Sequence, residues 1–242
     1  MSAPVTEQPS PAATEQPSRD VAVPAAVGVV VAAAVAVLVV VGLVVSLTED
    51  RLPTGPALPP PAAKAPEVSF DATSRIVRYA AVTTRMPGTP YVCPATPDST
   101  PPLISSGILC SATVHPDYEG TSDWTATAGF GSVAEGLTRP TAEATARAFF
   151  DTFRSIGFDN RPTTLGEVTT DRADLGGHQV ALISGNVGYT VPGVSSTYDR
   201  VLVIVLPLDD GDYAVYFSSR PDDTPKATLD VLNASIDGLV YA

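Results

Sequence analysis

The stretch RVLVIVLPLDDGDYAVYFSS, residues 200–219, decides the fold of this chain. Val201–Leu206 is apolar at every position, so both faces of that strand must be covered, and it reads as a central strand. Asp209-Asp210-Gly211 turns the chain, because Gly accepts a positive φ without a steric cost. Tyr213, Val215 and Phe217 then alternate with other residues along the return strand. A central hairpin covered on both sides calls for layers above and below it.

Working back along the chain, Thr164–Asp171 and Gln179–Tyr189 read as strands flanking the turn Asp174-Leu175-Gly176-Gly177. Arg139–Ile156 is the clearest amphipathic helix. Ala142, Ala146, Phe149, Phe150, Phe153 and Ile156 share one face at spacings of three and four. Thr138 or Thr141 is placed to cap it, Pro140 suits its first turn, and Gly157 suits its C-terminal cap. Earlier strands are expected over Arg75–Arg85, Gly107–His115 and Asp123–Phe130, with Pro87-Gly88 turning the chain. In the first, Val77, Tyr79 and Ala81 fall on one face and Ile76 and Val82 on the other. Forward of the hairpin, Pro225–Tyr241 reads as a last helix with the stripe Leu229, Leu232, Ile236, Leu239 and Val240. Asp222, Asp223 or Thr224 is placed to cap it, with Pro225 at its start. The order of strands, helix, four strands and helix gives an α+β domain over residues 69–242, a mostly antiparallel sheet flanked by two helices as an α-β-α sandwich.

The N-terminal part has a different character. Residues 1–20 are rich in Pro, Ser, Thr, Gln and Glu and are expected to be disordered. They repeat Thr6-Glu7-Gln8-Pro9-Ser10 as Thr14-Glu15-Gln16-Pro17-Ser18, which reads as low-complexity duplication. Val21–Leu47 carries no charge and exceeds the ~20 apolar residues a spanning helix requires. It is too long for the apolar core of a signal peptide, and no Cys follows closely for lipidation. The reading is an uncleaved signal anchor. Its small-xxx-small pairs, Gly28/Ala32 and Gly42/Ser46, are what an Ala/Val-rich run produces by chance. Residues 48–68 form a Pro-rich linker whose proline run, Pro59-Pro60-Pro61, favours an extended spacer. The flanking charges scarcely orient the anchor. Domain size and the cysteines place the N-terminus in the cytoplasm and the large domain outside, in the cell envelope.

The chain carries a formal net charge of −12, and residues 66–242 hold 21 acidic against 11 basic side chains. That balance disfavours nucleic acid and anionic lipid surfaces as partners, since both need a basic footprint. The two cysteines, Cys93 and Cys110, are read as a disulfide that closes an 18-residue loop. Redox chemistry of the C-x-x-C kind is excluded by their spacing.

No catalytic, cofactor or metal residues are assigned. His115 and His178 are the only histidines, and they lie too far apart for a recognisable zinc spacing. Both read as turn-edge residues. There is no G-x-S-x-G elbow. Gly129-Phe130-Gly131-Ser132-Val133-Ala134 matches G-x-G-x-x-A, but no helix opens there, so the match is chance. Asp209-Asp210-Gly211-Asp212 is a hairpin turn, not a calcium loop. Asn233-Ala234-Ser235 is a glycosylation sequon by pattern, on an expected helix.

Ala146–Phe153, then Gly177-His178-Gln179-Val180-Ala181 leading to Gly185, then Val201–Leu206, the turn, Tyr213–Phe217 and a terminal helix together resemble the PsbP-like α-β-α sandwich. More narrowly, roughly residues 75–242 are similar to the LpqN-type envelope proteins of actinobacteria. The resemblance implies a non-catalytic domain that binds partner proteins or envelope components. It offers no catalytic motif to carry over, and a membrane helix stands where those lipoproteins have a lipidated Cys. The expected function is a membrane-anchored, non-catalytic binding or scaffolding module with an envelope protein or lipid partner. The alternatives are an extracytoplasmic hydrolase using His178 or His115, and a carrier of lipid or a small ligand.

Overall fold

The structure, a computed structural model, describes residues 66–100, 102–120, 122–158 and 161–242. The expected tail at 1–20, the anchor at 21–47 and the linker through residue 65 lie outside the described residues. Among the described residues no helix is long and apolar enough to cross a membrane.

In chain order these residues form β1 (Ser69–Asp71), β2 (Ile76–Tyr79), β3 (Val82–Arg85), β4 (Asp98–Thr100), β5 (Ile104–His115) and β6 (Trp124–Val133). A 3-10 turn at Glu135–Leu137 leads to α1 (Ala142–Ile156). Then come β7 (Thr164–Leu175), β8 (His178–Gly188), β9 (Tyr198–Pro207), β10 (Tyr213–Pro221), α2 (Lys226–Asp237) and β11 (Val240–Tyr241). The main sheet runs β4-β5-β6-β10-β9-β8-β7, and a smaller one runs β1-β2-β3-β11. All pairings are antiparallel, as the hairpin signals require. The fold is α+β.

The β9–β10 hairpin lies in the middle of the large sheet. Val215 pairs with Val205, and Phe217 with Val203. Odd-numbered residues of β9 face α1. Val201, Val203 and Val205 pack there with Phe149, Phe150, Phe153 and Phe217. Even-numbered residues face the other way. Ile204 and Leu206 join Tyr216, Phe130, Leu232, Leu239 and the small sheet's Val77, Tyr79 and Val82. Each fully buried Phe contributes roughly 1.5–3 kcal/mol by leaving water, so Phe149 and Phe150, both wholly buried, fix α1 on the sheet.

Several boundaries differ from the sequence reading. Arg75–Arg85 is not one strand. Ala80, at φ 50°, turns the chain, so β2 and β3 form a tight hairpin and Val82 is buried beside Val77 and Tyr79. Helix α1 starts at Ala142. Thr141 is its cap, accepting from the Ala144 N–H at 3.2 Å, and Pro140 precedes the cap instead of occupying the first turn. Ile156 ends the helical stripe exposed. The last helix stops at Asp237, with Gly238 as its C-terminal cap, and Val240–Tyr241 pairs with β3. Asp222, Asp223 and Thr224 do not cap it. The helix opens at Pro225 without a side-chain cap, and the two aspartates accept bonds from elsewhere. The face opposite α1 is covered jointly by α2 and the small sheet, where α2 alone was expected.

The disulfide Cys93–Cys110 is formed. It ties the Pro-rich loop to β5, and an isolated bridge between Val92 and Ser111 runs beside it.

Candidate functional site

Where α1 ends, Phe153 is its last wholly inward side chain, and Gly157 accepts the turn with its N–H donating to the Phe153 carbonyl at 2.7 Å. The helix thus stops short of the β5–β6 end of the sheet and leaves a cleft. This pocket, of about 340 Å³, is walled by Leu103, Leu109, Trp124, Phe153, Phe158 and Phe217. Tyr118 and Ile156 also line it, while Thr127, Asp199 and Ser219 add polar groups. An apolar cleft with a few convergent polar atoms is the usual form of a small-molecule site.

The aromatic side is a connected cluster. Trp124 stacks obliquely on Tyr189 at 4.7 Å and meets Tyr118 edge-on at 5.5 Å. Phe158 lies 6.2 Å from Trp124 and 6.1 Å from Phe153. Contacts of this kind add to area burial and hold the walls in one arrangement.

The polar side centres on Asp199, which is 3% exposed. Its Oδ1 accepts from the Tyr189 hydroxyl at 2.6 Å and from Trp124 Nε1 at 3.4 Å, and Oδ2 accepts from Ser219 Oγ at 2.6 Å. Trp124 Nε1 also donates to the Tyr189 hydroxyl at 3.0 Å. Burial raises the Asp199 pKa against the opposing effect of these donors, and burial beside Asp199 likewise pushes the Tyr189 hydroxyl up. Among the described residues neither an Arg nor a Lys bonds to the carboxyl, and its donors there are neutral. Thr127 Oγ1, on the strand beside Ser219, is buried without a hydrogen-bond partner. Buried hydroxyls are normally paired with protein or ordered water, so this one marks a polar point in the cleft wall.

A second cluster lies at the end of β5. His115 Nε2 is 2.7 Å from Ser196 Oγ and 3.1 Å from Asp223 Oδ1. The Ser196 hydroxyl donates to that same Asp223 oxygen, and Ser195 Oγ donates to Oδ2 at 2.7 Å. Burial would raise the Asp223 pKa, but the Ser196 and Ser195 bonds and His115 outweigh it and lower it. A Ser-His-Asp relay needs the imidazole between serine and carboxylate, with a different ring nitrogen to each. Here one nitrogen meets both, and the serine proton is committed to the carboxylate. The trio clasps β5, the segment before β9 and the segment before α2. Thr197 adds two bonds to Asp222 across the same gap, both at 3.1 Å.

His115 and His178 are therefore not brought together, and neither lines the aromatic cleft. His178 stacks on Tyr241 at 3.9 Å, at the turn edge where it was expected. The Gly129 and Gly131 of the G-x-G-x-x-A match lie within β6, where close packing, not a phosphate, demands glycine: a side chain on Gly131 would meet the Ser106 carbonyl. Asp209–Asp212 is a turn, with Gly211 at φ 88°. The residue that sequence reasoning missed is Asp199. Its signal was available: it shares the inward parity of Val201, Val203 and Val205, and an acidic residue on such a face marks a polar site in a core.

No protein-family model matches the chain, and no curated protein matches it. Among solved structures the chain is similar to cyanobacterial PsbP (CyanoP) from Synechocystis sp. PCC 6803. The identity is 10%, the match covers 78% of this chain and 100% of that one, and the TM-score is 0.40.

Proposed function

We propose that this chain is a non-catalytic binding domain, tethered to the cell membrane by Val21–Leu47 and working on the extracytoplasmic side. Its ligand is a small, mostly apolar molecule carrying a hydroxyl or amine. The observation that carries this reading is the cleft at the end of α1, with aromatic walls and a polar side at Asp199, Ser219 and the unpartnered Thr127. The apolar run and the proline linker support the tethered location.

Trp124 is the single tryptophan and stands in the cleft wall, so its fluorescence reports occupancy directly. With the full chain in neutral detergent, the neutral probe N-phenyl-1-naphthylamine is expected to quench Trp124 by energy transfer. Substituting Ile156→Arg at the mouth should abolish that transfer while leaving the fold intact, since Ile156 is exposed. Native mass spectrometry of the same preparation should show a co-purified small molecule. Absence of both signals would remove the ligand-binding reading.

The meeting of His115, Ser196 and Asp223 favours the hydrolase alternative in residue type, and their bonding pattern opposes it.

A further inference from the structure

On the face of the sheet opposite the aromatic cleft, Arg200 of β9 and Arg220 of β10 are directly opposed across the strands. Both lie on the even-numbered face, beside α2. Like charges in this position repel, and sheets normally place an opposite charge there. Among the described residues no carboxylate lies within 4.0 Å of either guanidinium, and neither guanidinium donates a hydrogen bond. The two line one groove of about 250 Å³ with Ser218 and Asn233, walled by Leu202, Leu232 and Ile236.

The surroundings sharpen the anomaly. The domain is strongly acidic, so carboxylates are plentiful, yet the acids nearest in sequence are engaged elsewhere. Asp199 points to the opposite face, and Asp222 bonds Thr197. Glu167 shares an adjoining shallow groove with Arg200 but forms no ion pair with it. Arg220 is half-buried, and burial, then Arg200, lower its pKa. A buried tyrosine hydroxyl, Tyr91, has no partner and lies close enough for Arg220 to influence it. Arg200 is exposed and Arg220 part-buried, so the two guanidiniums stand at the open side of the groove, where their opposition is a local electrostatic conflict.

We propose that Arg200 and Arg220 form a binding site for a phosphate-type oxyanion in the groove between α2 and strands β8–β10. Guanidinium forks match the oxygens of a phosphate in pairs, and one dianionic or monoanionic group between the two resolves their repulsion. Ser218 and Asn233 supply neutral hydrogen-bonding groups, and the leucine wall accepts an apolar extension of the ligand. The site recognises a single oxyanion, and so is compatible with a net charge that repels extended anionic surfaces. It is separate from the aromatic cleft and stands whether or not that cleft binds a ligand. The oxyanion is either free phosphate or the phosphodiester of a lipid headgroup.

The test is calorimetric titration of the full chain in neutral detergent with two probes, inorganic phosphate and dihexanoyl phosphatidylglycerol. Dihexanoyl phosphatidylcholine is the zwitterionic control. Binding is expected to weaken at least tenfold in Arg200→Gln and in Arg220→Gln, and to weaken with added sodium chloride. Binding of both anionic probes assigns the site to the free oxyanion, and binding of the anionic lipid alone assigns it to a headgroup. Melting temperatures of the two variants are expected to stay level or rise, because each removes a like-charge repulsion. Failure of both probes to bind at millimolar concentration would overturn the proposal. So would affinity unchanged in both variants, or a clear drop in melting temperature in both, which would make the guanidiniums supports of the fold.

Discussion

The ring of Phe217 occupies the space that a side chain on Gly129 would need, one strand away on the α1 face of the sheet. Phe217 also packs on Phe149 at 5.1 Å and on Phe153 at 5.6 Å, and it lines the aromatic cleft. The missing Cβ therefore sets the position of the ring on which both the helix and the cleft rest. Gly129→Ala should destabilise the domain by about 1–3 kcal/mol through overpacking. It should also displace Phe217 and change probe binding in the cleft. Denaturant unfolding checks the first effect and Trp124 fluorescence the second; a neutral substitution would show that the ring has room to move.

The Cys93–Cys110 bond closes a loop that contains the short edge strand β4 and the buried Leu103, Ile104 and Ile108. As a constraint on the unfolded chain it contributes about 3 kcal/mol for a loop of this length. The paired substitution Cys93→Ala/Cys110→Ala should lower stability by that order while leaving the β9–β10 core folded. Intact mass with and without reductant gives the redox state of the protein as isolated from cells. Two free thiols would remove both the constraint and the argument it gives for an extracytoplasmic domain.

Six strands of the large sheet and both helices were legible because their signals are periodic, whereas the short edge strand β4 lies in what reads as a Pro-rich loop. Val201–Leu206 had to be central, and the Phe149/Phe150/Phe153 stripe had to face it. The β2–β3 hairpin was not legible, because its turn rests on Ala80 at positive φ and no Gly, Asn or Pro marks it. The end of the last helix was obscured by Leu239 and Val240, which continue the apolar pattern although the chain has already left the helix. The cleft was beyond reach for another reason. Its walls come from five separate segments between Thr100 and Ser219, and only long-range pairing assembles them. The clasp shows the same limit. His115 and Asp223 are 108 positions apart, and neither carries a local motif.

That clasp makes a sharp forecast. Ser196 is buried and donates to Asp223, so its hydroxyl proton is not available to a base. Ser196→Ala should cost about 1–2 kcal/mol, the loss of a hydrogen bond to a partly exposed charged group. A fluorophosphonate probe should leave Ser196 unlabelled in the wild-type chain. His115→Ala should weaken the same junction to a smaller degree, since Ser195 and Ser196 still hold the carboxylate. Stoichiometric labelling of Ser196 that disappears in His115→Ala would reverse this and establish a nucleophile.

Asp199 gives the protein a pH dependence whose sign follows from its burial. Its folded pKa is raised above the ordinary 3.8, so the folded state holds the carboxyl proton more tightly than the unfolded chain does. The stabilising contribution is fully present below about pH 3.8. It is lost as pH rises through the folded value, because the unfolded chain releases the proton first. Asp199→Asn has no such proton and keeps an oxygen to accept from Tyr189. The difference in stability between wild type and variant should therefore favour wild type most at low pH and shift towards the variant as pH rises. Asp71 and Asp223 are held below their ordinary values and lose stability in the opposite direction, as pH falls. Both are common to the two proteins and cancel in the comparison. Thermal melts of the pair from pH 3.5 to 8 measure the difference, and a gap constant across that range would mean that the Asp199 carboxyl is not perturbed by its site.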